Sequence, residues 1–382
     1  MPILTVNAGS SSLKLRLLGE DDELLFSSSL ETAGDGAALS SWLASVLGPL
    51  EFEAVGHRVV HGGPAHEGPA LLDPRLEAEL ERLAELAPLH NSPALAALRA
   101  IERLRPGLPQ VACFDTAFHA TIPAAAATYA VPAAWRRRWP LRRFGFHGLS
   151  HRYASRRAAE LLGRPLSRLR LVTAHLGAGA SLAAIDGGRS VDTTMGFTPL
   201  EGLVMATRAG SVDPGLLLWV QRHGGLTAEE MELALERESG LLALAGTADM
   251  RAVLAGAEAG EEPCRLAFDA YVHRLAAGIA AMAAALGGLD GLVFTGGVGE
   301  GSAAVREAAA RDTAFLGVRL DAERNAGARG DAVLAAGEPG AAAVLVEARE
   351  DLEIAAEVRS LLAAAGGVRI SPDAERPGPV QA

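Results

Sequence analysis

A chain of 382 residues, 49% apolar and 21% charged, is long enough for two or three domains with large cores. Its formal net charge of −11 excludes a general polyanion binder, because nucleic-acid affinity rests on basic surface. Small anions gripped by a local arginine pair remain compatible with that balance.

Short β-like runs alternate with helical patterns along the chain, which predicts an α/β protein. Strands are predicted over 3–7, 13–18, 23–29, 54–60, 110–114, 170–175, 181–185 and 291–295. Helices are predicted over 37–47, 75–87, 93–104, 149–162, 214–223, 264–287, 302–311 and 350–363. The third helix opens Asn91-Ser92-Pro93, with Asn91 or Ser92 as its cap and Pro93 in its first turn. Ala/Leu-rich stretches such as 274–287 carry Arg274 and glycines and are too short to span a bilayer, so they read as buried helices. Beyond about Ala365 the chain turns rich in Gly, Pro and charge, which predicts no packed structure for its last dozen residues. Cys113 and Cys264 lack metal-ligand spacing, and the N-terminus MPILTVNAGSS has no basic region followed by a long apolar run. Both features point to a reducing, cytoplasmic setting. A weak internal repeat aligns AGSSSLKL (8–15) with GAGASLAA (177–184), which suits two strand–turn–strand phosphate loops facing a cleft between duplicated halves.

The first of those loops has no bulky side chain to block close backbone approach, and successive N–H groups in such a turn form an anion-binding concavity. Lys14, the single lysine of the chain, adds a point charge, and Asn7 an amide. GxxxxGK[ST] is absent, so this is no Walker A loop. GHRVVHGG (56–63) sets Arg58 and His61 at the end of a β-like run. CFDTAFH (113–119) delivers Asp115 just after a strand, where acidic metal ligands often sit. RRFGFHGLSH (142–151) holds His147 between glycines; HLGAGAS (175–181) and MATRAGSVDPG (205–215), with Arg208, follow. A zinc site is the alternative, because His57/His61 and His147/His151 have i,i+4 spacing. It is the weaker reading: in a strand the first pair stands roughly 13 Å apart, and the second lacks the Glu of HExxH. LDGLVFTGGVGEGSAAVREAA (289–309) reads strand, glycine turn, helix. From Gly297 the run GVGEGS fails the last glycine of a dinucleotide fingerprint, so a purine seated on flat glycine backbone is preferred. Asp249 and Arg251 in GTADMR suit a ribose and a base, and EARED (347–351) opens the last helix with Glu350 in reach of a metal.

In combination NAGSSSLK, HRVVHGG, FDTAFH, FGFHGLSH and VDTTMGFTPLEG resemble the acetate kinase family, the acetokinases of the actin–sugar kinase–Hsp70 superfamily, and the resemblance runs on to EDLEIA near the end. It implies an α/β, duplicated actin-like (ribonuclease H-like) ATPase fold with an interdomain cleft. Residues 1–119 plus 353–382 would form one domain and 120–352 the other. It also implies a homodimer that turns over acetate and acetyl phosphate with ATP and ADP and uses Mg²⁺ or Mn²⁺, without nucleic-acid or membrane partners. By resemblance Asn7, Asp115 and Glu350 surround the metal, while Arg58 and Arg208 clamp the carboxylate and the transferring phosphoryl group. His147 and His90 assist, His147 by stabilising the transition state. Val60, Leu89, Phe146 and Pro199 match the pocket for the substrate methyl. Ser10, Ser12 and Lys14 match phosphate-loop positions. His175, Gly177, Gly179, Asp249, Arg251, Gly296, Gly297, Gly299 and Glu300 match nucleotide-binding ones.

The chemistry agrees. A carboxylate with a pKa of about 4 is ionised at neutral pH and attacks phosphorus without a strong base, so catalysis reduces to positioning and charge neutralisation. Two departures stand out: Ala178 and Gly301 replace asparagines usual in the family, which predicts altered nucleotide contacts. The rival readings are a propionate or other short-chain acyl kinase, a nucleotide-binding module with little activity, and, least favoured, an NAD-dependent oxidoreductase.

Overall fold

The computed structural model describes residues 1–9, 12–31, 36–83, 88–335 and 340–366; Ser10 and the C-terminal dozen lie outside the described residues. Two sheets organise them. The first contains β1 (Ile3–Ala8), β2 (Ser12–Leu18), β3 (Leu24–Glu31), β4 (Ala54–Val59), β5 (Ala70–Leu71) and β6 (Gln110–Phe114), in the order β3-β2-β1-β4-β6-β5. The second contains β7 (Arg170–Leu176), β8 (Ala180–Asp186), β9 (Arg189–Thr193), β10 (Gly291–Thr295), β11 (Val318–Arg319), β12 (Ala332–Val333) and β13 (Ala341–Leu345). Its order is β11-β13-β10-β7-β8-β9, with β12 beside β13. In each sheet a three-stranded antiparallel meander gives its first strand, β1 or β7, to a parallel partner, β4 or β10, which pairs in parallel with a further strand. The strand order therefore repeats, and the short repeat seen in the sequence falls on the two equivalent hairpins.

Helices cover these sheets. α1 (Gly36–Leu47), α2 (Pro74–Leu83) and α3 (Pro88–Leu104) serve the first, and α4 (Ala124–Ala127) and α5 (Ala133–Arg138) lead into α6 (Gly148–Leu161). Then come α7 (Pro214–Gly224), α8 (Ala228–Arg237), α9 (Gly240–Ala245), α10 (Met250–Glu258), α11 (Glu262–Leu286), α12 (Gly296–Gly301), α13 (Ala303–Asp312), α14 (Ala322–Gly327) and α15 (Glu350–Gly366). Strand alternation sends Leu4, Val6 and Ala8 of β1 and Leu13, Leu15 and Leu17 of β2 into one core with α1 and α3. Each such leucine contributes about 1.5–3 kcal/mol by leaving water. The second sheet is covered on one face by α11, through Leu275 and Ile279, and on the other by α6, through Ala154 and Ala158. By composition Gly240–Glu258 is long and apolar enough to cross a membrane. It is broken, however, between α9 and α10 by Gly246 in the left-handed region and by the Asp249 cap.

Two expectations need correction. The third helix starts at Pro88 and holds Pro93 inside it, because the Asn91 amide is not a cap: it is fully buried and bonds the backbone of His61. The glycine run after β10 is itself helical, as α12, instead of a turn.

The last helix returns to the first sheet, where Ile354 and Val358 pack with Ile3, Leu18, Ala54 and Cys113. Gly56 permits this, since a Cβ there would lie 2.3 Å from Ile354 Cγ2 and 2.8 Å from Val358 Cγ2. On its other side α15 meets α6 through ion pairs, Arg152 with Glu357 at 2.8 Å and Arg156 with Glu353 at 2.5 Å. Glu357 Oε2 has no hydrogen-bond partner among the described residues, and burial pushes this carboxyl up to about 7. A carboxyl that holds its proton more tightly folded than unfolded stabilises the fold at low pH, and that stability is lost as pH rises towards 7. Glu357→Gln keeps an oxygen for Arg152 and removes the titration. Thermal denaturation is expected to show the variant more stable than the parent at pH 8, with the gap closing towards pH 5; a pH-independent difference contradicts this.

Candidate active site

Register across three strands puts three polar side chains in one rank. Asn7 of β1 lies opposite Lys14 of β2 on one side and Arg58 of β4 on the other. Residues directly opposite share a face, and this face is the reverse of the one that buries Val6 and Leu15. Two residues earlier the same face carries Thr5 and Arg16. Together with Gly9 and Ser12 they form one wall of a cleft of about 400 Å³. The opposing wall consists of His175 at the end of β7, Gly296, Gly297 and Glu300 of α12, and Ala348, Glu350 and Asp351 at the head of α15.

Arg58 is held hard. Its Nε lies 3.1 Å from both Asp115 carboxylate oxygens and its Nη2 2.6 Å from Oδ2, while Nη1 donates to Asn7 Oδ1 at 3.1 Å. Burial alone would disfavour the cation, but the Asp115 charge and hydrogen bonds, with Glu350 further off, raise its pKa overall. Asp115, expected near the metal, is almost fully buried, spends its carboxylate on Arg58 and is not part of the cleft wall.

His147 stands at the head of α6 with φ of +56°, a conformation uncommon for a side chain of this size. Gly148 after it is obligatory, since a Cβ would lie 2.0 Å from the Asp115 carbonyl oxygen. His147 Nδ1 lies 2.9 Å from Ser181 Oγ, and the ring stacks on His175 at 4.3 Å. His151 reaches the same Ser181 Oγ at 2.8 Å and Thr173 Oγ1 at 2.7 Å, while His175 Nδ1 lies 2.8 Å from Ser150 Oγ. Both nitrogens of His151 are thus engaged by hydroxyls, and among the described residues no His, Cys, Asp and Glu group of three or more is placed to hold a metal. His57 points away from the cleft onto Gln110 at 2.7 Å.

Gly179 brings His147 and Arg208 together. Its missing Cβ would lie 3.3 Å from His147 Nε2 and 3.4 Å from Arg208 Nη1. Arg208 Nη1 donates to the Pro199 carbonyl at 3.3 Å. Val60 and Phe146 lie buried in the apolar cluster beside these groups, with His61 packed edge-on to Phe144 at 4.6 Å and to Phe146 at 5.4 Å. Leu89 and His90 fall in the first turn of α3, and their side chains lie outside what is described. That turn is fastened to the end of β4 by Asn91, whose amide accepts from His61 N at 3.1 Å and donates to His61 O at 3.0 Å. The sequence offers one signal for it: asparagine stands only at Asn7, Asn91 and Asn325.

Residues 46–356 match the model of the acetokinase family. The chain belongs to the acetokinase family. An acetate kinase of Synechococcus sp. (strain JA-2-3B'a(2-13)) is 51% identical over 82% of this chain and 77% of that protein. The crystal structure of Porphyromonas gingivalis acetate kinase matches with a TM-score of 0.86 and 36% identity, over 94% of this chain and 99% of that one. A propionate kinase from Francisella tularensis subsp. tularensis SCHU S4 gives 0.85 and 33%, over 93% and 98%. The fold is accordingly the duplicated actin-like ATPase fold, and the enzyme is a phosphotransferase.

Other predicted positions of this acetokinase stand less centrally. Asp249 caps α10 and pairs with Arg251 at 2.8 Å; the pair is exposed and does not line the cavity. Gly177, Gly179 and Gly299 also lie off the cavity lining. Glu300 Oε1 accepts from Gly296 N at 3.0 Å and from Ala348 N at 2.9 Å, which ties the glycine helix to the segment that carries Glu350. Ala178 and Gly301 are exposed, and a Cβ at Gly301 meets nothing within 4 Å.

Burial first, then the charges of His175, Arg58 and Arg208, hold His147 well below the usual histidine range. In the ligand-free protein the His147 ring is therefore neutral from pH 6 to 8. Its imidazole NMR signals are expected to stay constant over that window, and a midpoint inside it contradicts the assignment.

Proposed function

We propose that this enzyme transfers the γ-phosphoryl group of ATP reversibly to acetate, giving acetyl phosphate and ADP by direct in-line displacement. A carboxylate oxygen forms the new bond to phosphorus as the bond from phosphorus to the β–γ bridging oxygen breaks, and ADP departs with that electron pair. The observation that carries this reading is Arg58 in a cleft walled by a glycine helix, with a neutral His147 stacked on the cleft-lining His175 and Arg208 beside His147 at Gly179. Acetate arrives ionised and needs no base. Arg58, fixed by Asp115, suits a carboxylate or phosphoryl oxygen, and Arg208 with His147 Nε2 suits charge on the transferring group. Lys14 and Ser12 face the same space and suit the phosphate chain. Glu350 and Asn7 offer oxygen donors in the cleft, which fits a hydrated Mg²⁺ held mostly by nucleotide phosphates. When bound, that ion supplies charge neutralisation at the phosphates. Two buried, unbridged cysteines support a cytoplasmic setting.

Propionate is the second reading, favoured by the equal fit to the Francisella propionate kinase, since one methylene in an apolar pocket shifts binding by only about 1–3 kcal/mol. Trapping acyl phosphate as hydroxamate with Mg-ATP and acetate, propionate or butyrate separates the two. Acetate is expected to give the highest kcat/KM, and the absence of hydroxamate with all three acids overturns the proposal. Arg208→Ala is expected to lower turnover by on the order of 10²-fold or more with the fold intact; near-parental turnover contradicts its role.

A homodimer also forms part of this reading. Helices α7 and α8 bury no residue, yet Val212, Leu216, Leu218, Trp219 and Leu233 stand exposed around them. Exposed apolar side chains grouped on two helices that bury nothing suit a second copy of the chain. Light scattering on the parent is expected to give twice the chain mass, and Trp219→Glu combined with Leu216→Glu the chain mass itself. A monomeric parent at micromolar concentration overturns it.

A further inference from the structure

Segment 194–201 carries Pro199, and through the Pro199 carbonyl it also holds Arg208. It has no helix or strand of its own, so its shape depends on what braces it from behind. Two side chains from distant parts of the chain do this, both through Glu201 at the end of the segment itself. Tyr129 Oη donates to Glu201 Oε2 at 2.6 Å and accepts from Phe197 N at 2.9 Å. Arg143 donates to Glu201 Oε1 at 2.8 Å and to the carbonyls of Thr194 and Met195 at 3.1 Å each. Gly196 is pressed into the brace, since a Cβ there would lie 1.8 Å from Glu201 Oε2 and 2.1 Å from Tyr129 Oη. Its carbonyl accepts from Phe144 N at 3.0 Å, and the Phe197 ring leans on Phe144 at 5.9 Å. None of Tyr129, Arg143 and Glu201 lines the catalytic cleft.

We infer that Tyr129, with Arg143 and Glu201, is a positioning residue that sets the depth of the acyl pocket and thereby the preference for acetate over propionate. The inference rests on the acyl kinase reading above. The phenol hydroxyl is the only side-chain group that joins the Phe197 amide to the Glu201 carboxylate among the described residues, so its loss lets the loop fall back from the pocket. A receding wall costs acetate its close contact and gives propionate the room it lacks.

The test uses the full-length protein and three readouts: kcat/KM for acetate and for propionate, KM for ATP, and thermal stability. Tyr129→Phe is expected to cut the acetate-to-propionate ratio of kcat/KM by roughly threefold or more, a part of the about 10–200-fold that one methylene commands in such pockets, chiefly through KM for acetate. KM for ATP should stay within about twofold of the parent. Should Tyr129→Phe fail to fold, Glu201→Gln, which keeps both oxygen positions occupied while weakening the Arg143 bond, is expected to move the ratio in the same direction. An unchanged ratio alongside lowered stability shows a merely structural brace and overturns the inference. A parent enzyme that phosphorylates neither acid overturns the acyl kinase reading itself, whereas an active parent whose variants keep the ratio overturns only this step.

Discussion

The site depends on one residue that works in two directions. The Asp115 carboxylate neutralises Arg58, and its carbonyl accepts from Gly148 N at 3.0 Å, which sets where α6 begins and hence where His147 stands. Its own amide is fixed to Val59 O at 3.0 Å, at the end of the strand that bears Arg58. A cation walled into a cleft requires such a partner: taking the partner away from a buried pair leaves an uncompensated charge and costs about 3–5 kcal/mol. The first sheet's cation and the histidine at the head of α6 therefore share Asp115 as a common anchor.

That anchor shapes the electrostatics. A protein of net charge −11 sets Lys14, Arg16 and Arg58 in one cleft, with Arg208 beside His147, and its histidines there are largely buried. Burial drives His147, His151 and His175 towards the neutral form, and the neighbouring arginines drive His147 further. A neutral ring with Nδ1 fixed by a serine offers Nε2 as its remaining nitrogen. This arrangement suits an acceptor that is already an anion, for which donors and fixed cations matter and proton abstraction does not.

Much of the fold was legible because its strands are short, branched or apolar, and bounded by glycine. Segments 110–114 and 291–295 read as strands and are β6 and β10. The elements that escaped lack that signal. Ala341–Leu345 is alanine-rich with a single β-branched residue, Arg189–Thr193 is largely polar, α8 buries no residue, and α9 and α10 are only 6 and 9 residues long. In the site, local motifs carried the reading where one strand or helix terminus presents the side chain, as for Asn7, Lys14, Arg58 and His147. They failed where meaning comes from a distant partner. Asn91 looked like a cap and is the fastening of His61. Glu300 looked like part of a nucleotide loop, yet its carboxylate spans 48 residues to Ala348 N. Tyr129 carried no motif at all, because Glu201 lies 72 residues away.

The repeated strand order explains why these distant partners matter. Duplication supplies two hairpin loops with the same connectivity, but the side chains have diverged: the first half presents Lys14, Asn7 and Arg58 in a rank, and the second presents glycine backbone with a histidine–serine lattice. Two unlike halves hold a fixed mutual geometry only if something crosses between them. Helices α6 and α15 do so: each begins at the cleft, with His147 just before one and Glu350 opening the other, and farther along each is bound to its neighbour by Arg152, Arg156, Glu353 and Glu357. A cleft assembled from helix starts inherits the rigidity of the helices behind it. The loops that line it are therefore free to be glycine-rich, which close backbone approach to a phosphate chain requires.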